Sequence, residues 1–497
     1  MKKLMLSLLA GVAFSGAAFA QDFRIGLQED PDVLDPHKAR TFVGRIVFTS
    51  LCDKLIDVNA SLEFVPQLAT EWSWSNENKT LTFKLRDDVV FHDGTKFNAE
   101  AAKANLDRAR TEPDSLRKSE LASVDSVEVV DEYTIALHLK QPDATLLAQL
   151  SDRAGMMLSP AAFSGDVATN PVCSGPYKFV SRVQNDRIVL EKFADYRDAD
   201  EFHFDRLIFL PIPDSTVRLA NLRAGDIDML ERLNPADAES VRADAGLNFL
   251  PVAGLGYQGL TINVGDNPRA SGPINKDKRV RQALQLAIGR DIINEVVGHG
   301  LFEPAQQPFP PASPYNSEKF PLVQRDVEKA KALLKEAGHE TVSFELTFGN
   351  NTTTSAIAEL MQAMAKEAGF EISLKPMEFA AMQQEMKAGN HEVTQIGWSG
   401  RVDPDGNIHQ FVTCEGALND SKYCNPEVDR LLNAARVTPD VEERKKLYDE
   451  AQAILMDELP IIYIYHQPWP FVTSAKVSGF EPSPDGMVRL KGVKLEN

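Results

Sequence analysis

Leu68-Ala69-Thr70-Glu71-Trp72, followed by Leu81-Thr82-Phe83-Lys84-Leu85-Arg86 and Val90-Phe91-His92-Asp93-Gly94-Thr95, is the stretch on which the fold turns. Leu81, Phe83 and Leu85 alternate with Thr82, Lys84 and Arg86, the period-two pattern of a strand with one buried face. Val89 to Phe91 extends the apolar pattern past an Asp pair. Tyr133, Ile135, Leu137 and Leu139 repeat the alternation, so this part of the chain predicts a sheet covered on one side.

Outward from this sheet the chain reads as mixed α/β without repeats or low-complexity linkers. Asn98 caps a predicted helix running through Arg110. Asp326 caps another, with Val327, Ala330, Leu333, Leu334 and Ala337 on one face and Gly338 as its stop. A third starts at Thr438-Pro439, carries Asp440 and Glu443 in its first turn, and ends at Pro460. Val342, Phe344, Leu346 and Phe348 alternate as a strand, followed by a helix over 354–368 and a strand over 372–375. That succession predicts βαβ units in the C-terminal half. Residues 459–465 are apolar over a length that suits a buried strand and falls short of a membrane span.

The 497 residues suffice for two or three domains or one large composite unit. A formal charge of −19 argues against a nucleic-acid partner, since phosphate neutralisation needs clustered Lys and Arg, and offers no pull toward anionic lipid. Lys2 and Lys3, the apolar run 4–13 and Ala18-Phe19-Ala20 have the order of a cleaved secretory leader over residues 1–20. No Cys stands at the cleavage point to accept a lipid anchor. Four cysteines in an exported chain permit three disulfide connectivities. Cys414 and Cys424 flank a turn-forming stretch containing Gly416, Asn419, Asp420 and Ser421, and closing that loop is worth roughly 2 to 3 kcal/mol. Cys52 and Cys173 then pair by elimination. A zinc site competes with these pairings, but no C-x-x-C or His cluster accompanies them.

Catalytic signatures are absent from the sequence: it contains no G-x-x-x-x-G-K-[ST], no H-E-x-x-H and no Gly-rich dinucleotide fingerprint. Asp403, Asp405 and Asn407 have part of a calcium-loop spacing without its Gly or distal Glu, so a Pro-containing turn capping a helix is the preferred reading. His409 nearby reads as a surface or cleft hydrogen-bonder rather than a metal ligand. No catalytic residue, metal or cofactor is expected.

The opening stretch, with Leu34-Asp35-Pro36-His37 before it, resembles the signature of the peptide/opine/nickel class of extracellular solute-binding proteins. Ser174-Gly175-Pro176-Tyr177, Arg223-Ala224-Gly225-Asp226-Ile227-Asp228 and Arg279-Val280-Arg281-Gln282-Ala283-Leu284 follow in the order that class keeps. The resemblance implies an α/β two-lobe clamshell of the type II periplasmic-binding-protein kind, with an extra subdomain on the first lobe. It assigns 21–62, 174–262 and 473–497 to the main part of lobe I, 63–173 to the extra subdomain and 263–472 to lobe II, with hinge crossings near Asn263 and Phe471. A small or peptide-like ligand, permease subunits of an inner-membrane ABC importer and a monomeric state are the partners implied. Three readings compete: a nickel- or haem-binding member of the class, an exported hydrolase outside it, and a periplasmic chaperone or sensor partner that shares the clamshell.

Gly397-Trp398-Ser399-Gly400 matches the class's cleft-lining G-W-x-G segment, so Trp398, Ser399 and Gly400 are candidate ligand contacts. Tyr257, Thr41 and Phe42 match other cleft-lining positions; core packing is the competing reading for these and for Trp398. Arg401 departs from the class: peptide-binding members carry an Asp there for the ligand ammonium, whereas a guanidinium suits a carboxylate or phosphate. The segment 349–356, where dipeptide binders carry a carboxylate-pairing Arg, reads Asn350, Asn351 and a Thr run. The expectation is that Arg401 anchors an anionic group of an unusual peptide, an opine-like conjugate or another acidic metabolite, against the alternative of an Arg paired with Asp403 or Asp405.

Overall fold

The computed structural model describes residues 21–496; the leader expected over 1–20 lies outside them. Two large mixed sheets organise the chain. The first runs in spatial order Leu247–Val252, Trp469–Ser474, Met229–Leu230, Asp22–Leu27, Arg206–Pro211, Arg187–Lys192, Tyr177–Val183. Its centre is parallel, Asp22–Leu27 pairing with Arg206–Pro211 on one side and Met229–Leu230 on the other. Phe23, Ile25, Leu27, Phe48, Phe209 and Phe471 fill the core beneath it.

The second sheet runs Glu303–Pro304, Ile461–His466, Tyr257–Ile262, Val393–Trp398, Val342–Gly349, Phe370–Met377. Val342–Gly349 and Phe370–Met377 are parallel and joined by the helix Thr352–Glu367, the βαβ unit the alternation predicted. A third, four-stranded antiparallel sheet, Ala69–Ser75, Thr80–Leu85, Thr134–Leu139 and Val124–Asp131, contains the opening stretch and packs Leu81, Phe83, Ile135 and Leu137 against helix Ala99–Thr111.

Helix boundaries follow their caps. Asn98 accepts from the Ala101 amide, Asp326 from Lys329 and Asp440 from Glu443, starting the helices Ala99–Thr111, Val327–Glu336 and Val441–Glu458. Each side chain satisfies an otherwise unpaired first-turn donor, worth about 1 kcal/mol. Cys52 pairs with Cys173 and Cys414 with Cys424, with Cα separations of 4.8 and 4.4 Å. No helix among the described residues is long and apolar enough to cross a membrane.

The chain passes between the large sheets at 253–256 and 467–468, before the crossings expected near Asn263 and Phe471. Tyr257–Ile262 belongs to the second sheet, between Ile461–His466 and Val393–Trp398, so the expected boundary at 262 comes too late. Trp469–Ser474 belongs to the first sheet, so the boundary at 472 is also too late. Both strands are buried along nearly their whole length and carry no alternation that would reveal which sheet they join. The two crossings lie side by side: Gln258 Nε2 donates to Gln467 Oε1 at 2.6 Å, and the Gly256 carbonyl meets His466 Nδ1 at 2.9 Å.

Candidate ligand-binding cleft

Strand Val393–Trp398 ends where the first crossing passes, and the next four residues are held by close backbone packing. A side chain at Gly256 would meet the Trp398 carbonyl oxygen at 1.8 Å, and one at Gly400, whose φ is +87°, would meet the Leu255 carbonyl carbon at 2.4 Å. Only glycine permits that approach at either position. Asn407 then clamps the loop: its Oδ1 accepts from the Arg401 amide at 2.7 Å and Trp398 Nε1 at 3.1 Å, while its Nδ2 donates to the Arg401 carbonyl at 3.0 Å. The expected calcium-like spacing is a helix-starting turn whose carboxylates are bound to arginines, Asp403 to Arg444 and Asp405 to Arg436. His409 is buried beside them and meets Asn433 at 3.0 Å.

Between the two large sheets lie two adjoining chambers that share Phe42, Phe379, Trp398 and Ser399. Phe42 opens the helix Phe42–Leu51 and stacks on Trp469 at 4.3 Å, with Arg232 5.3 Å from both rings. Asn351, Thr353 and Thr354 line the first chamber, so the segment without an arginine offers it neutral polar groups. Tyr257 lines the second, edge-on to Tyr463 at 4.7 Å. Thr41 does not line the cleft: it is fully buried and donates its hydroxyl to Asp32 Oδ1 at 2.9 Å. Gly400 acts through its backbone shape and lines neither chamber.

Arg401 differs most from expectation. Its Nε pairs with Asp152 of the extra subdomain, its Nη1 donates to the Gly400 carbonyl at 2.7 Å and to Ser399 Oγ at 3.2 Å, and its guanidinium lies 4.0 Å from the Trp398 ring centre. It pairs with neither Asp403 nor Asp405; its Nε shares Asp152 with Arg45, and its Nη2 has no partner among the described residues. Tertiary packing brings in residues that no spacing pointed to: Arg40, Arg45 and Arg153 in the second chamber, Glu29 and Arg232 in the first. A signal for one of them exists, since Asp152-Arg153 is a charged pair inside the otherwise uncharged segment 146–158.

Contacts across the cleft hold the lobes together. Arg40 pairs with Asp420 at 2.5 Å, Arg45 Nη1 donates to Ser399 Oγ at 3.2 Å, and Arg436 Nη1 donates to the Ser119 carbonyl at 3.2 Å. Asp152 accepts from Arg45 Nε of its own lobe at 3.0 Å while pairing with Arg401 of the other. Burial alone would raise the Asp152 pKa, but Arg401 and Arg45, with Arg153 and Arg117 behind them, hold it well below the ordinary carboxylate range.

Glu29 shows the opposite balance. Burial, reinforced by Glu231 and Glu378, pushes its carboxyl up to about 7 against the pull of Arg232 and Arg218. A carboxyl raised in the folded state carries no ionisation penalty below its unfolded pKa, accumulates one as pH rises, and carries all of it above its folded pKa. Glu29→Gln is therefore expected to raise the melting temperature at pH 8 by removing a penalty on the order of 3 kcal/mol, with the gain gone by about pH 4. Melting curves of both proteins across that range check it; a pH-independent difference contradicts it.

Two lobes joined by paired crossings, closing over an aromatic-walled cleft, define a two-lobe binding protein of the periplasmic type. Residues 63–419 match the bacterial extracellular solute-binding proteins, family 5 (middle region), and the chain belongs to that family. It is 28% identical over 493 residues to the glutathione-binding protein GsiB of Pectobacterium atrosepticum, covering 96% of this chain and 94% of that one. Against the dipeptide-binding protein of Escherichia coli it is 28% identical over 484 residues, covering 90% and 89%. The dipeptide-binding protein of Pseudoalteromonas sp. SM9913, solved with Met-Leu, superposes with a TM-score of 0.89 at 24% identity, over 96% of this chain and 100% of that one.

Proposed function

We propose that the chain is an exported receptor that captures a small peptide-like solute or anionic amino-acid conjugate between its lobes and hands it to the permease of an inner-membrane ABC importer. The observation that carries this reading is the cleft itself. Aromatic surfaces from both lobes, Phe42 and Trp469 on one and Trp398 and Phe379 on the other, face a space bordered by amide, hydroxyl and charged groups. Such a site is built for enclosure and orientation. Ligand that touches both lobes favours the closed state by the contacts it gains there, and the importer reads that state. Two relatives named for glutathione and dipeptide binding, matching almost end to end, support a peptide-like solute. The reading places a monomeric protein in the periplasm after removal of residues 1–20.

Native mass spectrometry of gently purified protein is expected to show a one-to-one adduct of a small solute, and that compound should stimulate uptake through the cognate importer. Turnover of ester, peptide or phosphate substrates, or binding without importer-dependent uptake, would overturn the reading. Trp398→Ala removes a cleft wall and the ring beneath Arg401. Calorimetric affinity for the adduct compound is expected to fall by roughly tenfold or more.

A further inference from the structure

We infer that Arg153, with Arg45 beside it, forms the anionic subsite of the cleft and takes a carboxylate of the solute; this deepens the reading of the chain as a solute receptor and rests on it. Arg153 has no exposed surface, yet it lines the second chamber. Its Nη1 donates to the Ala39 carbonyl at 2.5 Å, while Nε and Nη2 have no partner among the described residues. Those two nitrogens form the side-on edge of a guanidinium, which matches the two oxygens of a carboxylate. This protein uses that edge elsewhere. Arg436 binds Asp405 through Nε and Nη2 at 2.8 Å each, and Arg206 binds Asp22 through the same pair at 2.7 Å each.

The surrounding carboxylates are already engaged. Asp152 pairs with Arg45 and Arg401, Glu120 with Arg117 at 2.5 Å, and Asp420 with Arg40. Five guanidiniums therefore meet three carboxylates, a local surplus of positive charge in a chain whose formal charge is −19. A buried cation without a counter-charge is costly, and a carboxylate on the solute would supply the missing charge where Arg153 borders the second chamber. Burial and the neighbouring Arg117 accordingly push the Arg153 guanidinium down to about 9. Phosphate shares the charge, but a single planar edge with two donors favours the flat carboxylate.

The test uses mature protein dialysed free of solute and a panel of dipeptides, γ-glutamyl peptides and N-carboxyalkyl amino acids, each as free acid and as carboxamide, with inorganic phosphate and cationic solutes alongside. Free acids are expected to bind roughly ten- to hundredfold more tightly than their amides. Arg153→Met should abolish that preference without lowering the ligand-free melting temperature, because the Ala39 carbonyl keeps a second donor in Arg117 Nη2 at 3.4 Å. Arg45→Gln provides a second variant should the first fail to fold, and it too should weaken the preference. Equal binding of acid and amide, retained preference in folded Arg153→Met, or a phosphate affinity matching the best acid would overturn the inference. Binding confined to neutral or cationic solutes would also overturn it and leave solute capture standing. Failure of every solute class to bind, with no adduct in native mass spectrometry, would remove the receptor reading itself.

Discussion

Asp152→Ala is expected to open the ligand-free clamshell. The Asp152 carboxylate is shared by Arg45 of its own lobe and Arg401 of the other, with Arg153 and Arg117 close enough to lower its pKa. Removing it leaves like charges facing each other across the cleft. Breaking a buried ion pair by deleting one partner typically costs about 3 to 5 kcal/mol, because the remaining charge is stranded. Here opening relieves the penalty by carrying Arg401 away from Arg45 and Arg153. A shift of about 3 kcal/mol changes the closed-to-open ratio roughly a hundredfold. Small-angle scattering or a fluorescence pair placed across the lobes should report a longer mean separation in the variant. Asp152→Asn keeps an acceptor for Arg45 and should fall between the two. The pH dependence has a fixed sign: a depressed folded pKa gives stability that is complete above the ordinary Asp range and lost only as pH falls toward the folded value. Equal compactness of Asp152→Ala and wild type would show that this contact does not hold the lobes.

Loss of the Cys52–Cys173 disulfide should have the other large effect. The bond spans 121 positions in sequence and staples the two ends of the inserted subdomain together at the foot of helix Phe42–Leu51. On the chain-entropy account a loop of that length contributes about 5 kcal/mol, against about 3 kcal/mol for the ten-position Cys414–Cys424 loop. Both Cys52 and Cys173 are buried in the first lobe's core, so alanine is the substitution that leaves no stranded hydroxyl. The Cys52→Ala/Cys173→Ala variant should lose protection over residues 53–172 in hydrogen exchange before the rest unfolds, and it should weaken ligand binding, because Asp152 and Arg153 sit on that insertion. Cys414→Ala/Cys424→Ala should lose less stability and keep the insertion protected. Equal losses from the two variants would contradict the ordering.

Much of the local structure was legible because its causes are local. Alternation at Leu81, Phe83 and Leu85 and at Val342, Phe344 and Leu346 predicted strands that form, and Asn98 and Asp326 cap the helices expected after them, whereas Asp440, expected inside a first turn begun at Thr438-Pro439, is itself the cap. Phe42, Tyr257, Trp398 and Ser399 do line the cleft chambers. Arg401, correctly singled out as unusual, has a different partner from any considered: Asp152 is a short-range feature of another subdomain, and nothing near Arg401 in sequence points to it.

The sequence alone determined the elements set by neighbours within a few residues: half-buried strands, capped helices, the parallel βαβ unit and the short disulfide loop. Tertiary structure decided which sheet the buried strands Tyr257–Ile262 and Trp469–Ser474 join, and hence where the chain crosses from one sheet to the other. It also decided which charges neutralise one another. Alternation and capping are short-range and leave a pattern in the chain, whereas a strand buried on both faces leaves none. Charge compensation in the cleft depends on which distant side chains the lobes bring within a few ångströms, so Arg401, with Asp403 and Asp405 close in sequence, pairs instead with the distant Asp152, and Arg153, next to that aspartate in sequence, keeps an edge free.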